Sequence, residues 1–146
     1  MYRYTNGTWE IFYQEGTWTP YLIGTSGSAG AYAASEAIGA YTKIGRLYSI
    51  KMYTILTNKG SWSGSTQVAG LPATSSSLFS SYTSIVVGLW DKITLNANYT
   101  NVVGYVNVNA TTMDLAQNGS GQTSSVIDYA NIQNTSRLMI SANYNI

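Results

Sequence analysis

The chain has no cysteine and no histidine in its 146 residues. Their absence excludes a disulfide framework, a Cys/His zinc site and every His-based catalytic triad. Charge is scarce as well: seven Lys/Arg against six Asp/Glu, 9% of the chain, with a formal net charge of +1. A soluble domain ordinarily carries about 25% charged residues. So few scattered cations argue against nucleic acid, because binding it requires several Lys or Arg to displace counterions. The longest apolar run, from Ile85 to Trp90, is too short for a membrane-spanning helix, and no membrane insertion is expected. Met1-Tyr2-Arg3-Tyr4 leads straight into polar residues, so nothing reads as a signal peptide. Only two prolines occur, Pro20 and Pro72, and neither opens a linker.

What fills the space is neutral. Serine, threonine and asparagine number 18, 17 and 12, and there are 13 Tyr and 4 Trp. An apolar share of 45% separates the chain from disordered low-charge sequences. A chain of this mass buries roughly 68% of its unfolded surface, enough for one domain with a core. A weakly charged surface does little to keep copies apart. That suits an oligomer, and equally a domain belonging to a longer protein.

Periodicity favours strands. In Leu47–Thr57, Tyr48, Ile50, Met52 and Leu56 fall on one face and Ser49, Lys51, Tyr53 and Thr57 on the other. Leu138, Ile140, Ala142, Tyr144 and Ile146 alternate with Met139, Ser141, Asn143 and Asn145. Val102, Val106 and Val108 share a face, with Tyr105, Asn107 and Asn109 turned outward or to a partner. Shorter runs, Trp9–Tyr13 and Ile85–Trp90 among them, read the same way, and Gly24–Gly27, Asn58–Gly64 and Asn118–Gly121 read as breaks. Asp91-Lys92 looks like a hairpin turn and Ser75–Ser77 with Ser80-Ser81 like a surface loop. Ala29–Ala40, with six alanines, is open to a strand or loop and also to a short helix. The spacing predicts an all-β domain, an antiparallel β-sandwich of jelly-roll kind.

Catalytic chemistry finds little support. Glu10 and Glu15 would point to opposite faces of an unbroken strand, and Asp114 and Asp128 would meet only through the tertiary fold. Each carboxylate reads more simply as a solvated turn or edge charge. Gly60-Ser61-Trp62-Ser63-Gly64 has Trp where a nucleophile elbow needs Ser, and Gly119-Ser120-Gly121 has no P-loop lysine after it. No Asp-rich calcium loop exists. The chain is expected to be no enzyme and to need no cofactor or metal. Five Asn-x-Ser/Thr sequons, at Asn6, Asn98, Asn109, Asn118 and Asn134, follow from composition.

Aromatics beside hydroxyls and amides remain. A flat ring can stack on the apolar face of a sugar while short polar side chains meet its hydroxyls. Trp62, set in a Gly/Ser segment that reads as a loop, is the leading ligand candidate. Tyr82, Tyr99, Asn98 and Asn101 are the others. The ordinary alternative is that such rings serve as strand and interface residues.

Three stretches read together carry a resemblance. Glu15-Gly16-Thr17-Trp18-Thr19-Pro20 is followed by Tyr41-Thr42-Lys43-Ile44-Gly45-Arg46, then by Gly70-Leu71-Pro72 with Thr74-Ser75-Ser76-Ser77. This order resembles the C-terminal receptor-binding domains of bacteriophage tail fibres and tail-tip adhesins. The likeness covers about residues 9–77 and the terminal strand, while 76–129 match no motif. It implies a homotrimeric β domain over residues 1–146, residues 1–15 serving as the entry segment, at the C-terminal end of a longer fibre protein in the virion tail. The implied partner is a bacterial surface glycan or an outer-membrane receptor. Rival readings are a structural tail module without a receptor and a carbohydrate-binding module of a bacterial extracellular protein.

Overall fold

The computed structural model describes residues 1–78 and 82–146, and the side chains of all of these but residues 10 and 33–35. Its strands are β1 (Tyr2–Thr5), β2 (Thr8–Ile11), β3 (Tyr13–Trp18), β4 (Tyr21–Ser28), β5 (Ala31–Ile44) and β6 (Leu47–Asn58). There follow β7 (Ser61–Ala69), β8 (Thr83–Ile93), β9 (Asn101–Val106), β10 (Thr112–Asn118), β11 (Ser125–Val126) and β12 (Ile132–Asn145). β1 and β2 form a separate hairpin. The others make one antiparallel sheet in the order β3-β5-β6-β12-β8-β9-β10-β7-β4, with β11 added to β10. Among the described residues no helix is long and apolar enough to cross a membrane.

Alternation drives the central pair. Along β6 Tyr48, Ile50, Met52 and Leu56 are buried, and along β12 Leu138, Ile140, Ala142 and Tyr144 are. A one-residue slip would turn each set to solvent, so the β6–β12 register is strongly specified. β8 serves both halves of the sheet. Its first residues, Thr83 and Ser84, pair with Val106 and Tyr105 of β9, and Ile85 onward pairs with β12. The sheet curls through β8, and one apolar cluster collects Trp18, Leu22, Leu56, Trp62, Val68, Ile85, Val106, Leu115, Ile127 and Ile140 from both halves.

The three stretches of the tail-fibre resemblance meet in space. Gly16 pairs with Tyr41 and Trp18 with Gly39 across β3 and β5. A Cβ on Gly16 would lie 2.6 Å from the Tyr41 ring, and one on Gly39 would lie 2.3 Å from Trp18 Nε1. Each strand's ring thus covers the other's glycine, a device that pins register where a bare glycine would leave a gap. Gly70, at φ +89°, lets its backbone come against the Thr19 carbonyl, where a Cβ would sit 2.5 Å away. Tyr144 holds the segment after Pro72: its hydroxyl accepts from Ala73 N at 3.2 Å and donates to Ala73 O at 3.1 Å.

Several expectations change. The alanine-rich segment is strand, because β5 packs between β3 and β6 and a neighbouring ladder outweighs alanine's helix propensity. Gly24–Gly27 is no break: β4 runs through it with a register shift against β7. Asp91-Lys92 is no hairpin either. Both lie in β8, where Lys92 (φ 57°) and Thr135 (φ 65°) bracket an irregularity between Ile132/Ile93 and Arg137/Asp91. Ser136 Oγ closes it, accepting from Gln133 N at 3.0 Å and donating to Lys92 O at 2.6 Å. β9 stops at Val106, so Val108 belongs to the turn that follows. Ser75 is buried, bonded to Ala110 in both directions and to Asn107 O, so its loop is tied inward at that point. Ser80 and Ser81 lie outside the described residues. Three sequon asparagines, Asn6, Asn98 and Asn109, have positive φ, a conformation asparagine tolerates in turns.

Candidate functional site

Trp62 does not stand in a loop. It lies in β7 at 5% exposure, its Nε1 donating to Thr66 Oγ1 at 3.2 Å and its ring meeting Tyr129 edge-on at 5.4 Å. Lys59 Nζ lies over the Tyr129 ring, 3.9 Å from its centre. Two glycines of the facing strand β4 serve this packing. A Cβ on Gly24 would come within 2.5 Å of Trp62 Cδ1, and Gly27 brings its backbone against Trp62 Cα. Buried on every side, Trp62 has no free face for a ligand.

A polar–aromatic surface lies on the outer face of β4, β7, β10 and β9. Register aligns one row across it: Ile23 opposite Gln67, Gln67 opposite Asp114, Asp114 opposite Tyr105, and Tyr105 opposite Ser84. Alternation explains the placement. Met113, Leu115 and Val106 point into the core, so Thr112, Asp114 and Tyr105 face outward. Asp114 is the hub. Its Oδ1 accepts from Gln67 Nε2 at 2.7 Å and Asn107 Nδ2 at 2.8 Å, and its Oδ2 accepts from Tyr105 OH at 3.2 Å. Asn107 Nδ2 also reaches Thr112 Oγ1 at 3.0 Å. Tyr82 meets the Tyr105 ring edge-on at 5.5 Å. Partial burial, then the nearby Asp114 carboxylate and its hydrogen bond, hold the Tyr105 hydroxyl above the usual phenol range. Tyr105 therefore keeps its proton at neutral pH, and its ring is locked by that bond while 38% of the residue stays exposed. Gly104 keeps the strand tight beneath: a Cβ there would lie 2.2 Å from the Asp114 carbonyl oxygen.

The remaining predicted residues lie at the other end of β9. Asn101 is exposed, opposite Asn118, and donates from Nδ2 to Thr100 Oγ1 at 3.1 Å. Asn98 is exposed in a turn at φ 71°, and Tyr99 is half-buried with its hydroxyl donating to Thr123 O at 2.8 Å. Gly119 backs this turn, its Cβ position 2.2 Å from Asn98 O. Asn101 and Tyr105 share the outer face of β9, about 13 Å apart by strand rise. Tyr82 and Asn101 thus mark two ends of one strip, with Val103 and Ala116 between. Sequence reasoning missed Asp114, Gln67 and Asn107 as partners. The Met113-Asp114-Leu115 alternation put Asp114 on the wet face, but its partners are set by the pairing of β10 with β9 and with the distant β7.

Chemically, the strip offers fixed rings, amides and one short carboxylate whose acceptors are largely used. Asp128 caps its own turn by accepting from Ala130 N at 2.8 Å. Among the described residues no three His, Cys, Asp or Glu side chains gather as a metal site would require.

No family model matches the chain, and neither does any curated protein. A solved structure does. The fold is similar to part of the Dettilon tailspike protein gp208, with a TM-score of 0.72 and 21% identity over 91% of this chain. The chain spans 24% of that tailspike's length.

Proposed function

We propose that this chain is the receptor-binding part of a phage tail protein, attaching the virion to a bacterial surface through a surface glycan. The observation that carries the reading is the outer strip of β7, β10 and β9. There Tyr105, set by Asp114 and flanked by Tyr82, presents ring area beside the amides of Gln67 and Asn107. Rings meet the apolar face of a sugar and the amides its hydroxyls. Asn98, Tyr99 and Asn101 extend the contact at the far end of β9. The fold likeness to a tailspike supports placing such a surface in a virion tail. The two curled halves pack as a jelly-roll-like sandwich, and three copies assemble as a homotrimer. Several strips per particle raise a modest single-site affinity. The strip serves binding: Asp114, engaged by three donors, sets the Tyr105 ring in place.

The test is adsorption of the protein to host cells and to a glycan array. Tyr105→Ala and Asp114→Ala are expected to weaken glycan binding about tenfold, the cost of one ring contact or one charge-assisted hydrogen bond. Full binding by both variants would sink the assignment of the strip, and binding to no glycan but to a protein receptor would sink the ligand class.

A further inference from the structure

The β1–β2 hairpin is amphipathic, and its apolar side is bare. Register sets Tyr2 opposite Ile11 and Tyr4 opposite Trp9 on one face, and Arg3 opposite Glu10 and Thr5 opposite Thr8 on the other. Asn6 (φ 49°) and Gly7 (φ 81°) form the tight turn that this register needs. The Tyr4 and Trp9 rings meet at a tilt of 56° with centroids 5.1 Å apart, yet Trp9 remains 68% exposed and Tyr2 64%. The hairpin is tied to the body at its base, where Phe12 N donates to Met1 O at 3.0 Å and Gly45 N donates to Phe12 O at 2.8 Å. No strand of the large sheet pairs with it. An isolated two-stranded hairpin is marginal in water, so a bare ring face on one calls for a cover.

A second bare apolar surface lies on the outer face of the β5–β6–β12–β8 half. Register aligns Ile38, Tyr53, Met139 and Leu89 across four strands, with Val86 beside them, over a groove of about 420 Å³. Met139 is 46% exposed and Val86 64%. Among the described residues lining the groove, Lys51 is the charged one.

We infer that the hairpin of one copy docks, ring side down, on the Ile38–Tyr53–Met139–Leu89 row of the next copy. Reach excludes the same chain. From the base, Trp9 extends about 13 Å beyond Tyr13, whereas Ile38 lies six residues up β5 from Ile44, the partner of Tyr13, or about 20 Å. Neither surface carries charge that demands an oppositely charged partner, so an apolar surface of the same charge-poor chain fits. The exposed apolar side chains of both surfaces bury on the order of 900 Å² together, the size of a weak, reversible contact. Because arm meets face, the contact is head-to-tail and each copy makes it twice in a closed ring. This deepens the homotrimer reading and is independent of glycan binding.

The experiment is light scattering on the 146-residue chain from 1 to about 100 μM, with circular dichroism to check folding. Wild type is expected to run as an oligomer. Trp9→Ser and Met139→Lys, both at exposed positions, are expected to fall to monomer or to need about tenfold higher concentration to assemble. Mixing the two variants is expected to give a heterodimer, since one retains an intact arm and the other an intact face. An oligomer unchanged in both variants overturns the contact and leaves the trimer standing. A wild-type monomer at the highest concentration overturns both. Failure of the mixed variants to associate overturns the head-to-tail arrangement.

Discussion

Replacing Trp62 with alanine separates a core role from a ligand role. Its indole is almost wholly enclosed, meets Tyr129 edge-on and donates to Thr66, itself fully buried. Removing a buried Trp costs about 3–5 kcal/mol through lost transfer energy and the cavity left behind. Loss of the indole N–H leaves the Thr66 hydroxyl without its donor, adding about 1 kcal/mol where water does not enter. Relaxation around the cavity offsets part of this, so a net loss of about 4 kcal/mol is expected. With a urea slope of about 2 kcal/mol/M, the unfolding midpoint drops by about 2 M, and the melting temperature falls by about 10–20 °C. The assay is urea unfolding followed by circular dichroism, paired with cell binding measured well below the melting point. Binding per folded molecule is expected to stay unchanged. If Trp62→Ala abolished binding and left the urea midpoint in place, the ring would be a ligand contact and its burial would be wrong.

Gly39→Ala tests the interlock of β3 and β5. The new methyl meets the Trp18 indole at 2.3 Å in a packed core, so a loss of about 1–3 kcal/mol in urea unfolding is expected. A neutral result would show that the ring does not lie over the glycine. Alkaline stability follows from Tyr32, whose hydroxyl is pushed up to about 12 by burial, although the Leu22 N–H that it accepts pulls the other way. A folded value above the unfolded value of about 10 means the neutral phenol is favoured by folding. That stability is complete below pH 10 and is lost as the pH rises toward 12, with Tyr144 shifted in the same direction by burial. Urea midpoints measured from pH 8 to 11.5 should fall across that window, and less steeply in Tyr32→Phe. Midpoints that rose with pH would contradict the assignment.

The strand pattern was legible wherever one face is buried and the other wet. β6 and β12 are the clearest cases, because every second residue along them pays a different solvation cost. Low charge and the missing Cys and His bounded the chemistry equally well. The site was only partly legible. Tyr82, Asn98, Tyr99 and Asn101 were reached from residue type and expected loop placement, and the structure sets them along one outer face, or the turn that ends it. Asp114 escaped because a carboxylate's role depends on neighbours, and Gln67 and Asn107 reach it from β7 and from beyond the end of β9.

Trp62 is the sharpest contrast. Glycine and serine around it read as a loop, since locally they signal backbone freedom. In the fold the segment runs as strand β7, and it is Gly24 and Gly27 of β4, over thirty positions earlier, that admit the close approach to the indole. The sequence by itself determined the all-β class, the inward and outward faces of the long strands, and the neutral, ring-rich surface. Only tertiary structure decided which rings stay exposed, which carboxylate holds them, and that the Tyr2–Ile11 and Tyr4–Trp9 pairs stand apart from the core. The reason is physical: solvation alternates along a single strand, whereas burial of a ring is settled by strands that meet it from elsewhere in the chain.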